Sequence, residues 1–146
     1  MKILTETNFN KLKEEVKKNK DKKIIFSSDD DELNRKVMEK IPIQILLINQ
    51  AKRKDKQKQR DSGLNQVIVK IAKKNKIQIG IKLDEIIESK QIEKARIFAR
   101  IKQNIMLCNK NKVQMKFISQ KHQRNIHDLK SLGLILGMPT WMNSKL

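Results

Sequence analysis

The sequence predicts an α/β fold: a parallel sheet of about six strands with helices outside it, open or rolled toward a barrel. Three observations carry that prediction. Short apolar runs alternate along the chain with segments whose apolar residues recur at helical spacing. The run Ile43 to Ile48 is nearly continuous, as in a strand covered on both faces. The stretch from Asp61 to Leu83 reads as loop, helix and strand in direct succession, half of a parallel crossover unit.

Taken in order, Ile3-Leu4 is a weak first strand, and Phe9, Leu12 and Val16 mark one face of a short helix. That helix ends in the run Lys17 to Lys23. Ile24-Ile25-Phe26 is a buried strand. Ser28 or Asp29 then caps a helix, with Glu32 in capping-box spacing from Asp29. Leu33 and Val37 face inward on it, and Arg35 points elsewhere. Pro42 leads into the strand Ile43–Ile48. Residues 50–60 form a basic loop, with Lys52, Arg53, Lys54, Lys56, Lys58 and Arg60 against Asp55.

Asp61 or Ser62 caps the next helix, and Gly63 permits a close approach of backbone or ligand. Leu64, Val67, Ile68 and Ile71 form its inner stripe, Lys70, Lys73 and Lys74 lie off it, and Asn75-Lys76 ends it. Ile77, Ile79 and Ile81 alternate as one face of a strand. Asp84 opens a turn containing Ile86-Ile87. A long helix follows from about Gln91 to Lys110, its inner stripe being Ile97, Ile101, Ile105 and Cys108, joined by Phe98 and Met106. Val113, Met115 and Phe117 alternate as a strand ending at Ser119. A polar loop, 120–125, precedes a short helix around Ile126 to Leu132 and a sixth strand, Gly133 to Gly137. Residues 138–146 read as a polar tail around Pro139 and Trp141. The whole, 1–146, is one barrel-like α/β domain.

A chain of 146 residues is about one domain. Lys and Arg number 34 against 16 Asp and Glu, a formal charge of +18. Such an imbalance opposes compaction by self-repulsion and is tolerable when a polyanion binds, so nucleic acid is the expected partner beside a merely solvated basic surface. No segment is a basic amphipathic helix with aromatic anchors, and no apolar run approaches a membrane span, so no membrane partner is expected. Cys108 is the single cysteine, which excludes an intramolecular disulfide and points to a cytoplasmic protein with Cys108 as a small hydrophobe. The apolar run at Met1–Glu6 breaks too soon for a signal peptide.

Catalytic chemistry is not visible. His122 and His127 stand five apart with no metal-site spacing, and the four glycines are isolated, so no phosphate loop exists. Ser27-Ser28 and Ser119 end strands, where barrel enzymes place catalytic groups, but have no evident base. The cluster Asp29-Asp30-Asp31-Glu32 could bind Mg²⁺, yet it reads first as a helix start. No catalytic residue, metal site or protein-bound cofactor is therefore assigned. With no tyrosine and few aromatics, mostly at core-like spacings, the chain is expected to grip structured RNA by backbone and shape. The loop 50–60 reads equally as an RNA-binding arm and as a disordered insert.

The segment Asp61-Ser62-Gly63-Leu64-Asn65-Gln66-Val67 resembles the D-x-G-[aliphatic]-[D/N]-[H/Q]-V element of the ribonuclease P protein component 3 family, found in archaea and, as a thirty-kilodalton subunit, in eukaryotes. Similar in order and spacing are Ile24-Ile25-Phe26 with Leu33-Asn34-Arg35, the helix Glu93-Lys94-Ala95-Arg96 with Arg100, Lys112 to Ser119, Arg124 to Leu129, and Leu132-Gly133 with Gly137-Met138. Gln66 stands where many members have histidine, and Ile126 where proline is usual. The resemblance implies a shortened TIM-barrel-like fold and a non-catalytic ribonuclease P subunit. The ribonuclease P RNA, with its own Mg²⁺, would remove the 5′ leader from precursor tRNA. It implies as partners that RNA, precursor tRNA, other ribonuclease P proteins and a small ferredoxin-fold subunit in a two-plus-two assembly. It places RNA contacts on Arg35, Arg60, Lys74 and Arg124, then on Lys70, Lys94, Arg96 and Arg100. Arg96 and Arg100 are open to a second reading, as residues held by Glu93 or by a partner protein. Two other functions stay open: a generic basic structured-RNA-binding factor, and a reduced metal-dependent phosphoesterase of the barrel class.

Overall fold

The computed structural model describes residues 1–146 and builds one five-stranded sheet in which every neighbouring pair is parallel. β1 (Lys2–Leu4), β2 (Ile24–Ser27), β3 (Ile45–Ile48), β4 (Gln78–Lys82) and β5 (Met115–Ile118) lie side by side in chain order. Between them run α1 (Phe9–Lys18), α2 (Asp31–Lys40), α3 (Gln66–Lys74), and the pair α4 (Leu83–Glu88) and α5 (Gln91–Asn111). α6 (Ile126–Ile135) and α7 (Thr140–Asn143) follow the last strand. A strand order that never reverses keeps every crossover on one side, which is how the wall of a TIM-like barrel is laid down. β1 and β5 are the two edges of this wall.

Alternation along the strands divides their apolar residues between two faces. Ile24, Phe26, Leu46, Ile48, Ile79, Ile81 and Met115 join the inner stripes of α1, α2, α3 and α5 in a core of 28 buried residues. Ile25, Ile45, Leu47 and Ile118 form a separate buried cluster on the other side. Gly80 belongs to that second face, opposite Leu47 in register. A Cβ on Gly80 would stand 3.0 Å from Ile45 Cγ2 and Leu47 Cδ1, and 3.2 Å from the Leu47 Cα. Gly80→Ala crowds the Ile45 and Leu47 side chains and the Leu47 backbone by a few tenths of an ångström. That crowding costs about 1–3 kcal/mol, offset by about 0.5–1 kcal/mol of backbone preference for alanine, so a net loss of about 1 kcal/mol is expected. Urea unfolding checks this, and an unchanged midpoint would contradict it.

Several elements differ from the sequence expectation, each for a local reason. The sheet has five strands, not six: 133–135 continue α6, and Leu136-Gly137 end it. Leu129, Leu132, Gly133 and Leu136 recur at helical spacing, and in so short an apolar run that period overrides strand-like composition. Gly133 then lets α7 pack close; a Cβ there would collide with Asn143 Oδ1. The segment 138–146, read as a polar tail, thus carries α7 and buries Met138 and Met142. The cap of α2 is Asp30, which accepts from the Glu32 and Leu33 amides, because Ser28 is still buried at the strand end. The cap of α3 is Asn65: Gly63, at φ +78°, turns the chain first, so Asp61 and Ser62 precede the helix. The later start rotates the inner stripe to Ile68, Val69 and Ala72, leaving Val67 half exposed. Met106 is exposed, one position past the α5 stripe. Asp84 lies within α4 rather than at a turn.

Candidate nucleic-acid interface

The connection from β3 to α3, residues 49–65, holds the basic run, and two arginines pin it. Arg100, from the middle of α5, is enclosed at 1% exposure. Its Nη1 donates to Gln50 O at 2.9 Å, its Nη2 to Arg53 O at 2.8 Å and its Nε to Asp55 Oδ1 at 3.3 Å. Arg53 folds back over the loop. Its two terminal nitrogens donate to both Asp31 oxygens at 3.0 and 3.1 Å, and Nη1 also reaches Asp61 at 3.3 Å. Burial works against the Arg53 charge, but the bond to Asp31 and the Asp31, Asp61 and Asp29 charges outweigh it and raise its pKa. Deeper in, Gln50 and Asn104 both donate to Ser62 O, at 2.8 and 2.9 Å. The run is bonded to α5 through Arg100 and to the start of α2 through Arg53 and Asp31.

A second anchor lies at the end of β4. Asp84, 5% exposed, accepts from Ser119 Oγ at 2.7 Å and from the amides of Gln120, Lys121 and His122. Burial alone would raise its pKa; the four donors prevail and bring it down to about 2. This carboxylate fixes the loop after β5. Between the two anchored loops opens a cleft of about 770 Å³, lined by both signs of charge, among them Asp29, Asp31, Arg53, Lys82, Glu85 and Lys121.

The cations named from the resemblance do not form one patch. Arg35 and Arg60 share a groove of about 340 Å³ with Lys56 and the Gly63 turn. Lys94 and Arg124 share another, of about 350 Å³, with Leu83, Ile86 and Leu132. Lys70 and Lys74 are exposed on α3, and Arg96 is exposed on α5. Arg100 leaves the accessible set, since its donors are spent on the loop and not on Glu93. Arg53 and Asp84, the two best-bonded charged groups, were not singled out in the sequence. The signal was there only weakly: an arginine among lysines, and an aspartate directly after a strand.

The acidic cluster is used locally. Asp30 caps α2, Asp31 pairs with Arg53, and Asp29 accepts from Asn49 Nδ2 at 2.9 Å. No three His, Cys, Asp or Glu side chains are grouped so as to hold a metal ion. Cys108 is buried, which pushes its thiol up to about 12 and keeps it protonated. No helix is long and apolar enough to cross a membrane.

No family model matches the chain. It is 30% identical over 112 residues to ribonuclease P protein component 3 of Methanococcus vannielii, a match covering 75% of this chain and 46% of that protein. The chain thus spans about half the length of that relative. Its fold is similar to a chain in the cryo-EM structure of archaeal ribonuclease P with mature tRNA, with a TM-score of 0.79 and 22% identity. That likeness covers 96% of this chain and 61% of the other. By sequence, with the barrel wall in agreement, the chain is a homologue of ribonuclease P protein component 3.

Proposed function

We propose that this chain is a protein subunit of a ribonuclease P, with no bond-breaking role of its own. It binds the catalytic RNA and supports removal of the 5′ leader from precursor tRNA in the cytoplasm. The observation that carries this reading is the 112-residue match to a component of that enzyme. The barrel-wall fold, shared with a chain of an archaeal ribonuclease P assembly, and the formal charge of +18 support it. Mg²⁺ belongs to the RNA in this scheme. A small ferredoxin-fold subunit, two copies with two of this chain, and other ribonuclease P proteins complete the assembly. RNA contacts are drawn from the accessible cations Arg35, Arg60, Lys70, Lys74, Lys94, Arg96 and Arg124. Their phosphate contacts release counterions and favour compact RNA at low Mg²⁺.

The test is cleavage of precursor tRNA by the cognate RNA and its partner subunit at limiting Mg²⁺, with and without this protein. Cleavage is expected to rise on addition. Equal rates would refute the reading, as would leader removal by the purified polypeptide alone. Equal affinity for unrelated folded RNAs without any such rise would identify a generic RNA-binding factor instead.

A further inference from the structure

In a parallel sheet, the last turns of the helices and the connections leading into the strands share one end. Here those connections are short: 19–23 into β2, 41–44 into β3, 75–77 into β4 and 112–114 into β5. Asp21 is the only acidic residue in them. Lys20, Lys22, Lys23, Lys76 and Lys112 all lie there and are exposed, with Lys73 and Lys74 in the adjoining last turn of α3.

Contacts draw these lysines together across the chain. Lys73 Nζ donates to Lys112 O at 3.1 Å, and Lys116 Nζ to Lys145 O. The Lys116 ammonium is held below its usual pKa by burial and then by the charge of Lys23. Trp141, half-buried, sits among them with Lys112 Nζ 5.3 Å and Lys145 Nζ 5.8 Å from its ring centre.

Ion pairing separates the two ends of the wall. Of five ion pairs made by lysine or arginine, four lie where the strands finish, and the fifth, Arg35–Glu39, lies within α2. None involves a lysine at the end where the strands begin. Lysines in a last helical turn complement the helix dipole, but Lys20, Lys22, Lys23, Lys76 and Lys145 lie outside the helices. Their mutual repulsion is relieved when a polyanion docks.

We propose that the end of the barrel wall where the strands begin is a docking face for the phosphate backbone of folded RNA, centred on Trp141 between Lys112 and Lys145. The proposal rests on the subunit reading above and names a face that the cations carried over from the family, apart from Lys74, do not cover. Trp141 offers its ring to a base or ribose at a helix end, and the lysines track the phosphates on either side.

Trp141 is the only tryptophan, and the chain has no tyrosine, so intrinsic emission reports on this face alone. Titration with a transcript of the cognate ribonuclease P RNA is expected to change Trp141 emission saturably, in step with binding measured by filter retention. Changing Lys23, Lys76, Lys112 and Lys145 together to Gln is expected to weaken binding at least tenfold. It should also lower the slope of log affinity against log salt by about two to four units. A charge-matched variant, Lys11, Lys54, Lys90 and Lys102 to Gln, should lose less than about threefold by the same rule. Circular dichroism confirms that both variants fold, as exposed, unpaired lysines allow. The proposal is overturned by a silent Trp141 at saturating RNA, by equal losses in the two variants, or by tighter binding to anionic phosphatidylserine vesicles than to RNA. If the unaltered protein still raises leader removal under those results, the subunit reading survives without this face. If it neither binds the RNA nor raises cleavage, both fall.

Discussion

Arg100→Ala is expected to lower stability by about 3–5 kcal/mol, with a fall in melting temperature on the order of 10 °C. Arg100 is the charged side chain that joins α5 to the loop after β3, through Gln50 O, Arg53 O and Asp55, beside the weaker amide bonds of Gln103 and Asn104 to residues 60–62. Alanine leaves two carbonyls without their donors and a void the size of a guanidinium, and each effect alone costs on the order of 1–3 kcal/mol. Arg100→Lys recovers little, because an ammonium lacks the planar fork that meets three acceptors at once. Trypsin should then cut within Lys52–Lys58 faster in both variants than in the parent. The converse result, an unchanged melting temperature with weakened RNA binding, would make Arg100 a surface contact and contradict its burial.

Asp84→Asn comes second in expected effect, on the order of 2 kcal/mol near neutral pH. Its carboxyl lies at about 2 in the folded protein against an ordinary 3.8. A lowered folded-state value stabilises the fold in full above the unfolded value, near pH 4. That contribution is lost as pH falls through about 2. The parent should therefore lose stability over this acid window, and the variant, with nothing to protonate at position 84, should show a flatter limb. Parallel limbs in chemical denaturation at stepped pH would refute the assignment. The loop Ser119–His122 should also loosen, which faster amide exchange at Gln120 and His122 would register.

These effects bear on how much of the molecule is legible without coordinates. Ile24-Ile25-Phe26, the run Ile43–Ile48 (of which Ile45–Ile48 is strand) and Ile77-Ile79-Ile81 announce strands by composition and alternation, and the α5 stripe Ile97, Ile101, Ile105 and Cys108 announces its buried face. Period is a local property, so the elements follow from it. It failed where two periods compete, at Gly133–Gly137, and where a glycine turn delays a helix, at Gly63. It was blind to the partners of charged groups.

The order of the five strands and of the helices α1, α2, α3 and α5 between them, the barrel-wall class and the likeness to ribonuclease P protein component 3 were present in the linear sequence. Packing alone decided that Arg100 is buried while Arg60 and Arg124 are exposed, that Asp84 holds the loop after β5, and that unpaired lysines gather where the strands begin. Hydrogen bonds such as Arg100 to Gln50 and Asp84 to Ser119 join residues far apart in the chain. A charge's accessibility depends on those distant partners, whereas a helix or strand depends on its neighbours.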